Sequence, residues 1–165
     1  MASAVRGFFR GENEMWILIV VIFLTVLYNM YRYTFGRDEK RSAKDEDFPP
    51  YKGYEMHIIT KGSVKVQTDR LERLPIKNYF KDHYIVKYKI KSDYEEILKS
   101  CKLEADQCFM IGNSPKGDIN EAKLAGLNTI FIPNEQTWSP EDEAISEALP
   151  KTFELDNILG MKTIL

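Results

Sequence analysis

CFMIGNSPKGDINEAKLAGLNTIFIP, residues 108–133, sets a strand, a turn, a helix and a second strand in a row. Residues 108–113 form a short apolar run that stops at a Gly-Asn turn, the pattern of a strand buried on both faces. Residues 119–125 carry helical spacing, and Gly126 stands where a helix C-cap favours a left-handed residue. Residues 128–133 return to β-branched and aromatic side chains before Pro133.

Upstream, the same alternation recurs. MHIIT (56–60) predicts a strand, and residues 64–74 predict a helix with Val64, Leu71 and Leu74 on one side. HYIVKYK (83–89) predicts a further strand, and residues 94–101 a further helix. Strand and helix alternate four times, which implies parallel strands joined by crossover helices: a Rossmann-like α/β sheet.

In that architecture ligands bind beyond the carboxyl ends of the strands. The residues there are Thr60, Lys61 and Gly62 after the first strand, Lys89 after the second, and Gly112 through Asp118 after the third. A hydroxyl and backbone N–H groups at such turns suit phosphoryl oxygens, a lysine neutralises them, and a nearby acid suits Mg²⁺. Thr60, Lys61, Gly62 and Lys89 are therefore the candidate phosphate-binding residues.

ITKGSVKVQTDRLERLPIKNYFKDHYIV (59–86) and IGNSPKGDINEAKLAGLNTIFIP (111–133) resemble the second- and fourth-motif regions of the haloacid dehalogenase-like (HAD-like) hydrolases. The resemblance spans residues 56 to about 140, and Pro133, Thr137 and Trp138 resemble a phosphatase-like branch. It implies that Thr60 hydrogen-bonds a phosphoryl group and that Lys89 is the charge-neutralising lysine. It also implies that Asn113 and Asp118 flank a metal site, although Asn113 stands where many relatives carry an acid.

The same resemblance calls for a central first strand followed by an aspartate nucleophile and a second aspartate two residues on. Asp45-Glu46-Asp47 is the nearby candidate, but KRSAK before it is no buried strand. Only twelve residues separate Asp47 from Thr60, too few for a crossover, which needs at least ~10–12 residues besides its strands. A core without its first strand would expose backbone edges, to be closed by the flanking strands or by another chain.

MWILIVVIFLTVLYNMY, residues 15–31, is seventeen residues long without a charge, and residues 33–35 extend it past Arg32. At ~1.5 Å per residue it approaches the ~30 Å of a bilayer core, which predicts a transmembrane helix over 15–35. Trp16 at one end and Tyr28, Tyr31 and Tyr33 at the other suit interfacial belts, and Asn29 suits a hydrogen bond to a neighbouring helix. Arg6 and Arg10 precede the run, whereas Arg32, Arg37, Lys40, Arg41 and Lys44 follow it, so the C-terminal side is expected in the cytoplasm and the N-terminus outside. Four regions result: a short segment 1–14, the membrane helix 15–35, a charged linker 36–50 ending in Pro-Pro, and the α/β domain 51–165.

The net charge of −2 gives no reason to expect nucleic acid, and two cysteines, Cys101 and Cys108, do not make a disulfide framework. His57 and His83 read as strand-end residues rather than ligands. Together these features lead to the expectation of a membrane-anchored, catalytically inactive HAD-like accessory or scaffolding subunit, contacting the bilayer and the subunits of a membrane complex. No resident cofactor is expected on that reading, with Mg²⁺ the ion if the protein turns over. The alternatives are a Mg²⁺-dependent phosphatase and a phosphate-binding module without turnover.

Overall fold

A computed structural model describes residues 17–18 (as backbone), 54–74, 76–133, 142–148, 150, 152–156 and 160. Its strands are β1 (Ile17–Leu18), β2 (Glu55–Lys61), β3 (Asp82–Val86), β4 (Phe109–Gly112), β5 (Asn128–Phe131) and β6 (Thr152–Glu154). Every pairing is parallel. β1-β2-β3 form one hydrogen-bonded sheet and β4-β5-β6 another, and β1 lies near β4. Helices α1 (Val64–Glu72) and α2 (Lys91–Cys101) follow β2 and β3. A π-helix (Pro115–Asn120) running into a short α3 (Glu121–Leu124) follows β4. The Rossmann-like parallel architecture is therefore present, as the alternation of patterns implied.

Burial accounts for the strand compositions. Met56 to Thr60 in the middle of β2 and all of β4 are buried on both faces, so neither shows the alternation of a half-exposed strand. One face packs Ile59 and Met110 against Tyr94, Ile97, Leu98 and Leu127. Met56, Ile58, Leu71, Leu74 and Ile76 are buried as well. Val64, expected beside Leu71 and Leu74, is 65% exposed: it is the first residue of α1, where the helix has not yet reached the core that buries Leu71 one heptad later. Gly126 adopts φ +89° just after α3, the left-handed conformation its capping position requires. At the opposite end of the sheet from the strand termini, Glu55 accepts from Lys81 at 2.8 Å and bonds the buried His57 at 2.8 Å, tying the entry of β3 to β2. His57, expected at a strand end, is buried within β2.

The first strand is the main departure from expectation. Ile17 and Leu18, within the run expected to be a membrane helix, are extended and pair with Glu55 and Met56. They occupy the position between β2 and β4 that a core lacking its first strand would leave open. The physical reason for the ambiguity is simple: a strand buried on both faces and a helix buried in lipid are both uncharged apolar runs. The remainder of the expected membrane helix, the N-terminal segment 1–14 and the linker 36–50 lie outside the described residues. Among the described residues no helix is long and apolar enough to cross a membrane.

Candidate functional site at the strand ends

Each candidate residue sits at the carboxyl end of a strand. Thr60 and Lys61 close β2, Lys89 lies three residues beyond β3, and Asn113 and Ser114 follow β4 directly. Lys89 and Asp118 form the centre. Their side chains are 1% and 0% exposed, and Lys89 Nζ donates to Asp118 Oδ1 at 2.5 Å. Lys89 is held with φ +59°, a left-handed conformation uncommon for a residue with a side chain. The lysine is buried from this turn.

Asp118 is fixed from its other oxygen. Oδ2 accepts from the backbone N–H of Asn113 at 3.1 Å and of Ser114 at 3.0 Å. The wide turn of the π-helix makes this possible: the amides of Asp118 and Ile119 both reach back to Ser114 O, and Gly117 N donates to Ser114 Oγ at 2.9 Å. Single π turns of this kind concentrate at functional sites. Tyr94 of α2 braces the turn by donating its hydroxyl to Gly117 O at 2.8 Å. Burial, then the charges of Asp118 and Glu121, push the Tyr94 phenol well above its ordinary range, so it keeps the proton it donates. Gly112 is required here because a Cβ at that position would overlap the Asp118 carboxylate.

At the β2 end, Thr60 is buried and donates to Gln67 Oε1 of α1 at 3.1 Å. Lys61 is half-buried, and burial followed by the positive charge of Lys89 pulls its pKa below the ordinary lysine value, with Lys116 acting in the same direction. Among the described residues, lysines 61, 89 and 116 therefore share one electrostatic neighbourhood with the Asp118 carboxylate. This suits an anion.

Two sequence expectations change in detail. Gly62 does not present its N–H to a ligand, because that N–H donates to Val86 O at 3.0 Å; with φ +133° the glycine serves the turn. The N–H groups of Asn113, Ser114 and Gly117 are likewise engaged within the π turn. Any anion at this end would therefore meet side chains, chiefly lysines, more than the backbone donors anticipated. Ser114 lay within the Gly112–Asp118 stretch read from sequence, but Gln67 and Tyr94 carried no such signal. A glutamine or tyrosine on an amphipathic helix carries no signal of its role until the helix is docked.

Mg²⁺ at phosphate sites is commonly held by one or two carboxylates, with phosphate oxygens and waters completing six ligands. Asp118 supplies one carboxylate, Asn113 is neutral, and among the described residues no group of three or more His, Cys, Asp or Glu side chains is arranged to hold a metal. The residues fit a divalent cation only in company with a phosphate-bearing ligand.

The haloacid dehalogenase-like hydrolase family matches residues 51–132. A protein of Methanothermobacter thermautotrophicus named glyceraldehyde 3-phosphate phosphatase is 28% identical over 120 residues, covering 69% of this chain and 52% of its own length. Among solved structures, a haloacid dehalogenase-like family hydrolase of Xanthomonas campestris superposes with TM-score 0.57 at 25% identity, over 66% of this chain and 45% of that one. The Bacillus subtilis HAD-hydrolase YfnB, described as putative and bound to magnesium, superposes with TM-score 0.57 at 22% identity, over 68% of this chain and 49% of its own. The chain spans about half the length of these relatives.

Proposed function

We propose, from the premise that this chain belongs to the haloacid dehalogenase-like hydrolases through residues 51–132, that it acts on phosphate monoesters at the ends of β2, β3 and β4. The observation that carries this reading is the buried Lys89–Asp118 pair, held by two backbone amides and flanked by Lys61 and Lys116. An oxyanion is the natural occupant of so cationic a corner. The phosphatase name of the archaeal relative supports hydrolysis as the reaction class. Lys61 and Lys89 would neutralise the phosphoryl oxygens, and Asp118 would hold Lys89 in place. Mg²⁺, which the Bacillus subtilis neighbour binds, would be held by Asp118 together with the substrate phosphate and would offset charge on the phosphoryl group.

One observation favours a second reading, binding without turnover. Residues 19–37, which follow β1, contain no Asp or Glu to serve as the attacking carboxylate. Phosphate release from glyceraldehyde 3-phosphate and from a small aryl phosphate, with Mg²⁺, separates the two. Turnover that Asp118→Ala abolishes supports the hydrolase; phosphate binding without any turnover supports the binding module, and absence of both sinks the phosphate assignment.

We propose membrane attachment only as an accompaniment to the binding reading, in which the chain is an accessory subunit of a membrane complex. Its support is the uncharged run of residues 15–31. Alkaline carbonate extraction of membranes carrying the full-length chain tests it, and release into the supernatant sinks it.

A further inference from the structure

Gln67 is 7% exposed and makes two hydrogen bonds that both end at the β2 terminus. Its Nε2 donates to Lys61 O at 3.0 Å, and its Oε1 accepts from Thr60 Oγ1 at 3.1 Å. The amide orientation follows from the chemistry of the partners. Lys61 O can only accept, so the nitrogen faces it, and the oxygen is left for the threonine hydroxyl. The peptide between Lys61 and Gly62 is thereby held at both poles, its carbonyl by Gln67 and its N–H by Val86 O at 3.0 Å. Gly62 takes φ +133° under this clamp, and a Cβ there would stand 2.9 Å from Gln67 Nε2, so the glutamine and the glycine fit as a pair.

We propose that Gln67 is a positioning residue for the anion site, fixing the Thr60 hydroxyl and the Lys61–Gly62 peptide so that the Lys61 ammonium is presented beside Lys89. The proposal rests on the phosphate reading above. It requires no contact between Gln67 and ligand. The glutamine acts through Lys61 by limiting the orientations of the residue that carries it, and preorganised charges bind anions better than charges that must first be ordered. The electrostatic neighbourhood agrees, since Lys89 and Lys116 already act on Lys61.

Calorimetric titration of the full-length chain with inorganic phosphate tests this, using Gln67→Met, which conserves volume but makes neither hydrogen bond. Gln67→Met and Lys61→Met are each expected to weaken binding by about ten-fold, and the double variant to bind no more weakly than Lys61→Met. The alkaline limb of the affinity profile is expected at higher pH in Gln67→Met than in wild type, a shift that a loss of packing alone would not produce. If Gln67→Met does not fold, Gln67→Asn, too short to span both partners, takes its place with the same expectations. Wild-type phosphate binding with an unchanged Gln67 variant, or with additive losses in the double variant, overturns the positioning role alone. A wild-type chain that binds no phosphate overturns the phosphate reading and this role with it.

Discussion

Lys89 and Asp118 come from opposite sides of α2, twenty-nine positions apart in sequence, and meet at 2.5 Å with neither side chain more than 1% exposed. Breaking a buried pair by removing one partner costs about 3–5 kcal/mol, because a charge stays buried without its counterpart. The two halves are unequal. In Lys89→Met the carboxylate keeps the amides of Asn113 and Ser114, whereas Asp118→Ala strands the ammonium and deprives both amides of their acceptor. Urea unfolding should therefore place Lys89→Met near the lower end of that range and Asp118→Ala near the upper. Equal losses, or losses under about 1 kcal/mol, would contradict this geometry.

Lys61 gives the site a pH signature. Its pKa is lowered from the ordinary 10.5 by burial and then by the Lys89 charge, so the folded protein releases that proton more readily than the unfolded chain. Stability contributed by this group is therefore fully present above pH 10.5 and is lost as pH falls through the lowered value. Anion affinity runs the other way, because deprotonation removes an attracting charge. Phosphate titrations across the alkaline range should show affinity declining before ordinary lysines titrate, and Lys61→Met should lack this limb.

Metal and phosphate should bind as a linked pair. With Asp118 as the carboxylate at the site and already shared with Lys89, Mg²⁺ alone meets too few oxygens, and a bound phosphate supplies the remainder. Linkage then requires each ligand to raise the affinity of the other by the same factor, typically about 5–150-fold. Calorimetry of Mg²⁺ with and without saturating phosphate measures the factor, which should collapse in Asp118→Asn. Equal Mg²⁺ affinity in both conditions would contradict the shared site.

The two thiols should differ in reactivity. Burial pushes the Cys108 thiol up to about 12, and its Sγ–H donates to Glu104 O at 3.2 Å, whereas Cys101 is half-buried and lies 2.9 Å from the Tyr84 hydroxyl. Iodoacetamide at pH 8, read by peptide mass spectrometry, should leave Cys108 unmodified in the native protein and label it only on unfolding. Labelling of Cys108 before Cys101 would contradict its place in the core.

Much of the fold was legible because the core strands advertise themselves. β2 and β4 are largely apolar runs ended by turn residues, and α1 and α2, which follow β2 and β3, carry helical spacing. Thr60, Lys89 and Asp118 were legible because position after a strand end is itself the signal. The π turn was not, since no residue pattern distinguishes it from an α-helical start, and it alone brings Asp118 back onto the amides of Asn113 and Ser114. β6 escaped notice because three residues, Thr152–Glu154, are too few for a periodicity. Its placement depends on long-range contacts such as Thr129 Oγ1 with Thr152 Oγ1 at 2.9 Å.

The most consequential ambiguity, strand or membrane helix at Ile17 and Leu18, has a backbone test. Proline lacks an N–H and is excluded from central strands, yet it is tolerated in the first turn of a helix, where the N–H has no intrahelical partner. Leu18 would be the fourth residue of a helix beginning at Met15, so Leu18→Pro should leave such a helix, and the α/β domain beyond it, with unchanged stability. As a member of β1 the same residue pairs with Met56 on one side and lies near β4 on the other, and the substitution should lower the thermal midpoint of the α/β domain by several degrees. Thermal unfolding of the full-length chain in mild detergent, followed by the fluorescence of Trp16 and Trp138 and by far-ultraviolet dichroism, reads the difference. An unshifted midpoint would remove β1 from the sheet and return the first strand to the list of things this domain must obtain elsewhere.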